Sequence, residues 1–349
     1  MRTKYFITGL AFLVQLIVGS GVARAADKDV VRIGITSTSS DVGFYIADKK
    51  GYFKEEGIAV ELIKFDSAAK MIAPLGAGQL EVGSGSASAA LYNAVARNIN
   101  IKIVADKGST PPGYGYQPLL VRKDLVENGR YKELKDLKGL KIAVSAAGSA
   151  STSTLHEALG QGGLKDGDVD SVFMGFPQQV MALQNKAIDA AFTGEPSATK
   201  AVQMGSAVRI VGDDVIYPNH QVGVVLYSGI FAATHADSAK RFMRAYLRAV
   251  RDYNDALKEG KLAGPKAEEI IAILTEYTNI KDPSVYRAIS PQGCNPEGMV
   301  QEASLKKDLA FFKQKGEVKG NVSVEDALDN SFAKAVTKEL GPYKQIAAR

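Results

Sequence analysis

Two short stretches of this chain concentrate hydroxyl groups at the point where a strand gives way to a helix. Thr36-Ser37-Thr38-Ser39-Ser40-Asp41 follows the apolar run Val30–Ile35 and precedes Val42, Phe44, Tyr45 and Ala47, whose spacing predicts a helix. Ala146-Ala147-Gly148-Ser149-Ala150-Ser151-Thr152 follows Ile142-Ala143-Val144-Ser145 and leads into a helical pattern through Leu155 and Leu159. Such turns aim hydroxyls and unpaired backbone N–H groups from a helix N-terminus, which is the chemistry of a site for a polar or anionic small molecule. Plain N-caps would use the same residues. Because the unit recurs, the expectation is a cleft between two such loops.

Other chemistries find less support. Ser84, Ser86 and Ser88 lie among Gly83 and Gly85, but no Gly-Lys-Ser/Thr follows, so a phosphate loop is not indicated. His156, His220 and His235 are scattered and form no His-Glu-x-x-His pattern, which argues against a metal site. Of the three, His220, after Tyr217-Pro218-Asn219, is best placed on a loop to reach a pocket. No Gly-x-Ser-x-Gly nucleophile elbow is present, and Cys294 is the only cysteine. No cofactor and no enzymatic activity are therefore expected. The formal net charge is +5 with no block of Lys or Arg, which argues against nucleic acid as a partner.

Strand and helix patterns alternate from Val30 to about Val211, the signature of an α/β fold with largely parallel sheets. Expected strands include Ile58–Phe65, Ile99–Ala105, Leu119–Val121, Val172–Met174 and Val222–Leu226, the last returning the chain to its first domain. Turn formers and aromatics at Ser109–Pro118 mark a crossing between two domains. Tyr114 and Tyr116, set among Gly113, Gly115 and Gln117 there, would offer a flat wall to a planar or partly apolar solute. Further on, Ala239, Phe242, Met243, Tyr246, Ala249, Val250 and Tyr253 predict the buried stripe of a long helix. Thr234-x-x-Asp237 reads as its capping box, and Val324–Leu340 as amphipathic helix.

The N-terminus reads as an export signal: Arg2 and Lys4, an apolar segment from Tyr5 to Val18, then Ala23-Arg24-Ala25 as a small-x-small cleavage site. Cleavage after Ala25 removes Arg2, Lys4 and Arg24, taking the net charge from +5 to +2 and the length from 349 to 324 residues. That length suits about two domains. The expected location is the periplasm.

Gly51-Tyr52-Phe53-Lys54-Glu55-Glu56-Gly57-Ile58, Leu134–Val144, Gly194-Glu195-Pro196, Ser304–Asp308 and Val324–Gly341 together resemble the periplasmic solute-binding proteins of ABC importers. The branch resembled is the one that binds nitrate, alkylsulfonates, taurine and thiamine pyrimidine precursors. The resemblance spans nearly the whole chain after the export signal. It implies a two-lobed, type II α/β fold, each lobe a mostly parallel sheet flanked by helices and the lobes joined by two crossings. Residues 27–118 and 225–349 would form lobe 1, and residues 119–224 lobe 2. It implies a monomer that captures a small molecule and passes it to an ABC permease in the inner membrane. Carried over position by position, its ligand contacts fall at Ser37, Thr38, Ser39 and Asp41 in the first loop, and at Gly83, Ser84 and Ser86 in the glycine-rich turn. They continue at Tyr116 and Gln117 in the crossing, at Gly148, Ser149, Ser151 and Thr152 in the second loop, and at Thr193 and Glu195. The chain departs from the sulfonate and nitrate members in having no Trp and no Arg or Lys in these loops besides Lys107 nearby. The expected ligand is a small organic molecule, a sulfonate, a carboxylate or a heteroaromatic; with Asp41 and Glu195 in the cleft, a zwitterion or a neutral heteroaromatic is expected rather than a bare inorganic anion. An enzyme of the same fold, a thiamine-pyrimidine synthase, is the alternative; it needs a Cys-rich motif that this chain lacks.

Overall fold

The computed structural model describes Met1 and residues 29–346; the expected export segment and its cleavage point after Ala25 lie outside them. Among these residues, ten strands build two sheets of five, with a separate two-stranded ribbon. The first sheet takes β1 (Asp29–Ile35), β2 (Ile58–Lys64), β3 (Val82–Gly85) and β4 (Ile101–Thr110). The second takes β5 (Leu119–Arg122), β6 (Lys141–Val144), β7 (Asp170–Phe173), β8 (Ala190–Phe192) and β9 (Ala207–Val211), after which β10 (His220–Ser228) rejoins the first. The spatial orders are β2-β1-β3-β10-β4 and β7-β6-β8-β5-β9, one pattern used twice. In each sheet one strand opposes the rest: β10 is antiparallel to β3 and β4, and β5 to β8 and β9. The pairs β1–β2, β1–β3, β6–β7 and β6–β8 are parallel. β5 and β10 are the strands that arrive from the other sheet, so the two crossings supply both antiparallel insertions.

Side chains alternate across each sheet, as the two-residue period requires. Along β10, Val224 and Leu226 enter one core while Val225 and Tyr227 enter the other. Along β5, Leu119 and Val121 part from Leu120 in the same way. The stripe on the helix Ala236–Ala256 is buried as its spacing predicts, and Phe242 stacks on Phe53 with ring centroids 4.8 Å apart.

Two helix boundaries differ from the sequence reading. Thr234 does not cap the long helix. Its hydroxyl donates to the Ile230 carbonyl (2.7 Å) at the end of the helix Gly229–Thr234, while Asp237 accepts from Arg241 (2.8 Å). The expected helix over Val324–Leu340 is two helices, Val324–Ala327 and Ser331–Leu340. It breaks because Leu328 leaves to bridge Ile103 on β4, and the Asp329 N–H donates to the Ile103 carbonyl (2.8 Å).

Two carboxyls near the crossings are wholly buried. Asp106 on β4 accepts from Gln221 Nε2 (2.6 Å) and from the Asn295 N–H (2.7 Å), and Asp213 accepts from the Gln117 N–H (2.9 Å). Burial pushes each carboxyl up to about 7. Between about pH 4 and 7 the unfolded chain has already released protons that the folded one retains. Stability therefore falls as pH rises through that window, by about 1.4 kcal/mol per pH unit for each group. Thermal unfolding should accordingly occur at a lower temperature at pH 7 than at pH 5, and the Asp213→Asn variant, which leaves Asp106, should about halve the difference.

Candidate functional site

The ends of the parallel strands converge where the two lobes meet. Thr36 follows β1, Asp66 and Ser67 follow β2, Gly85 and Ser86 close β3, and Ser145 follows β6. Lys107 projects from β4, Tyr116 and Gln117 come from the first crossing, and Val222 from β10. Helices that open beside these ends add Ser40, Ala68, Ala150, Ser151 and Phe176. Together these residues line a cavity of about 40 Å³. The crevice beyond the carboxyl ends of the strands is where open α/β sheets receive ligands. A larger groove, about 350 Å³, sits by Asn98, Asn100 and Lys102 at the opposite, N-terminal end of β4 and draws on no second-lobe element.

The cavity is rich in hydroxyls and holds one buried cation. Lys107 Nζ lies 2.8 Å from Asp41 Oδ1, with both side chains essentially inaccessible to solvent. Asp41 is also the organiser of its loop. Oδ1 accepts from Ser84 Oγ (2.9 Å), and Oδ2 accepts from the backbone N–H groups of Thr36 and Thr38 (3.1 Å each). Every lone-pair direction of that carboxylate is thus spoken for by the protein, and its charge is balanced by Lys107. The cavity presents an ammonium, hydroxyls and the first turn of the twelve-residue helix Ala150–Gln161, a set of donors that favours negative charge. Asp66 adds a half-exposed carboxylate that is paired with Lys70, and Phe176, Val222, Ala68 and Ala150 are apolar.

Of the expected contact residues, Ser86, Tyr116, Gln117 and Ser151 line the cavity. Tyr116 also packs with Ala150 and Val222 in a small buried cluster, whereas Tyr114 packs against the first-lobe core. Gln117 Oε1 is buried without a protein partner. The other expected residues stand behind the lining. Thr38 and Ser84 serve the Asp41 network, with Gly83 beside Ser84 on β3 packed under Leu75, and the Ser37 hydroxyl is buried away from any partner. Ser149 bonds to Ser145, Ser151 and Thr152 inside the second loop. Thr193 donates to Gln179 Oε1 (2.6 Å). His220, expected on a loop, instead opens β10 and is buried away from the cavity, its ring between Thr154 (3.2 Å) and Asp308 (2.9 Å) and stacked on Tyr217.

Ser39, Gly148 and Glu195 instead join the lobes. The N–H and hydroxyl of Ser39 both donate to the Glu195 carbonyl (3.0 and 3.2 Å), and the Ala89 N–H donates to the Gly148 carbonyl (2.8 Å). The Glu195 carboxylate, expected in the cleft, is bonded to Arg209 and Thr199 and contributes no free charge there. Thr36 and Ser40 belong to the first hydroxyl loop and Lys107 was expected nearby, though none was named as a contact, whereas Asp66, Ser67, Ala68, Phe176 and Val222 were not anticipated. Thr36, Asp66, Ser67 and Ser145 sit just beyond the C-terminal ends of β1, β2 and β6, and reading those ends as a set finds them without reference to loop composition.

The family model for NMT1/THI5 like proteins matches residues 39–257. The chain belongs to the NMT1/THI5-like family. The match covers the stretch that supplies most of the cavity lining. The chain is 26% identical over 306 residues to the taurine-binding periplasmic protein of Escherichia coli K12, covering 83% of this chain and 86% of that one. Among solved structures it is similar to the alkanesulfonate-binding protein SsuA of Xanthomonas axonopodis pv. citri, at TM-score 0.68 and 18% identity, covering 87% of this chain and 99% of that one. It is also similar to the periplasmic nitrate-binding protein NrtA of Synechocystis PCC 6803, at TM-score 0.72 and 14% identity, covering 89% of each. At these identities the solved structures share the two-lobed fold with this NMT1/THI5-like chain. The names of its curated relatives are those of binding proteins, taurine-binding and aliphatic sulfonates-binding among them.

Proposed function

We propose that this protein is the periplasmic substrate-binding component of an ABC importer, and that its cargo is a small organic molecule with one anionic head, a sulfonate or carboxylate, on a short apolar body. The observation that carries this reading is the cavity itself: strand ends from both lobes meet around Lys107, hydroxyls and a helix N-terminus, with the apolar Phe176, Val222 and Ala150 among the same lining. Because Asp41 already balances Lys107, the site offers hydrogen-bond donors rather than a large excess of positive charge. That suits a monoanion whose charge is spread over two or three oxygens. The names of the relatives, taurine-binding and aliphatic sulfonates-binding, support the same class.

Export with cleavage after Ala25, a monomeric state and delivery to an inner-membrane permease complete the proposal. Among the described residues no helix is long and apolar enough to cross a membrane. Ligand that touches both lobes favours their closed arrangement, so X-ray scattering of the mature protein should report compaction on adding taurine or ethanesulfonate at saturation. Tight binding with an unchanged radius would contradict closure, and chemical turnover of the bound molecule would favour an enzyme.

Phe176 is a partly exposed wall residue at the first turn of its helix, so truncating it removes ligand contact with little loss of core. Phe176→Ala should weaken binding of an organic anion by about 1–2 kcal/mol and leave the melting temperature of the ligand-free protein nearly unchanged. Tyr116→Ala, by contrast, should lower both, because Tyr116 is buried in the Ala150–Val222 cluster.

A further inference from the structure

We infer that Glu195 is a positioning residue that clasps the two lobes together and reaches the ligand only through the loop that carries Ser40 and Asp41. The inference rests on the binding reading above but not on the identity of the ligand. Glu195 belongs to the segment after β8 in the second lobe, and its side chain is completely buried. It meets two separate pieces of the first lobe. Its carbonyl takes both the N–H and the hydroxyl of Ser39, and its carboxylate takes the Ser290 N–H at 3.3 Å. From its own lobe it receives the Thr199 N–H (2.9 Å), the Thr199 hydroxyl (3.0 Å) and the Arg209 guanidinium. Its N–H donates to the Tyr116 carbonyl on the crossing (3.2 Å), and Gln292 Nε2 donates to the Ser39 carbonyl (3.4 Å) from the same first-lobe segment as Ser290.

The surroundings of the carboxylate consist of donors, which only an acceptor on both oxygens can satisfy. A neutral amide there would turn an NH2 group toward at least one N–H. The segment 193–199 would then shift, and with it the carbonyl that Ser39 uses. Ser39 lies next to Ser40, which lines the cavity, and two residues before Asp41, which holds Lys107. Release of the clasp therefore opens the cleft without removing any group that lines it. None of these bonds involves ligand, so they favour the closed arrangement in its absence as well.

Two variants separate this role from a structural one within the second lobe. Glu195→Gln disturbs the carboxylate. Ser290→Pro deletes the N–H that it accepts from the other lobe and leaves Glu195, Thr199 and Arg209 intact. Ile289, which precedes it, already has φ −61° and ψ 158°, the extended conformation that a proline requires of its predecessor. Two readouts are taken on each mature protein: the scattering radius without ligand, and the association and dissociation rates of taurine. Both variants should expand the ligand-free protein relative to wild type. Both should speed taurine dissociation about tenfold without slowing its association, the scale of one lost bond to a charged group. If taurine fails to bind the wild type, the choice of ligand is wrong, and the ligand-free radii still decide the clasp. Unchanged radii in both variants would overturn it. So would a Glu195→Gln protein that merely melts earlier while Ser290→Pro matches wild type in radius and rates.

Discussion

Lys107→Met should abolish binding of organic anions and also lower folding stability by about 3–5 kcal/mol, the penalty for leaving a buried carboxylate without its counter-ion. The Lys107–Asp41 pair is inaccessible to solvent on both sides, so water cannot take over for the missing ammonium. Asp41 would keep the Thr36 and Thr38 N–H groups and the Ser84 hydroxyl, which hold the loop but do not balance its charge. The double variant Lys107→Met/Asp41→Asn removes both charges and should recover much of the stability while binding stays lost. Denaturant unfolding and titration of the three proteins give the answer together. A Lys107→Met protein that binds with wild-type affinity would remove the ammonium from the site.

Gly148→Ala should hold the cleft open. Gly148 has φ +55°, and a Cβ there would lie 2.3 Å from Ala89 Cβ of the other lobe. Two effects follow, and they are separable. The left-handed backbone costs an L-residue about 1–2 kcal/mol wherever the lobes stand, whereas the clash with Ala89 exists only when they close. Affinity should therefore drop by about tenfold to a hundredfold, and ligand-induced compaction should be lost, if closure supplies about 1.4–2.8 kcal/mol of the binding energy. Adding Ala89→Gly removes the clash and not the strain. The double variant should regain affinity while remaining less stable than wild type.

How much of this was legible in the chain depended on whether the signal was local. The alternation of strands and helices, the buried stripe on Ala236–Ala256 and the two hydroxyl loops all follow from neighbouring residues, whereas the two-lobed arrangement came from the resemblance to the solute-binding family. The Thr234 cap and the unbroken helix over Val324–Leu340 failed because distant or competing partners decided them: the Ile230 carbonyl accepts from the Thr234 hydroxyl, and Leu328 bridges to Ile103 on β4. The same distinction applies to the site. Loop composition found Ser86 and Ser151. It could not show that Asp41 spends its carboxylate on Lys107, or that Ser39 and Glu195 face each other across the lobe boundary, since these pairs are 66 and 156 residues apart. The expectation of an amine on the ligand rested on Asp41 and Glu195 being free in the cleft, and both are engaged by the protein.

Isothermal titration of the mature protein against taurine, ethanesulfonate, small carboxylates, a pyrimidine and nitrate tests the central claim most directly. One-to-one binding of an organic sulfonate or carboxylate, weakened in Phe176→Ala and absent in Lys107→Met, is the predicted result. Tight binding of nitrate or of the uncharged pyrimidine, with no organic anion bound, would contradict it.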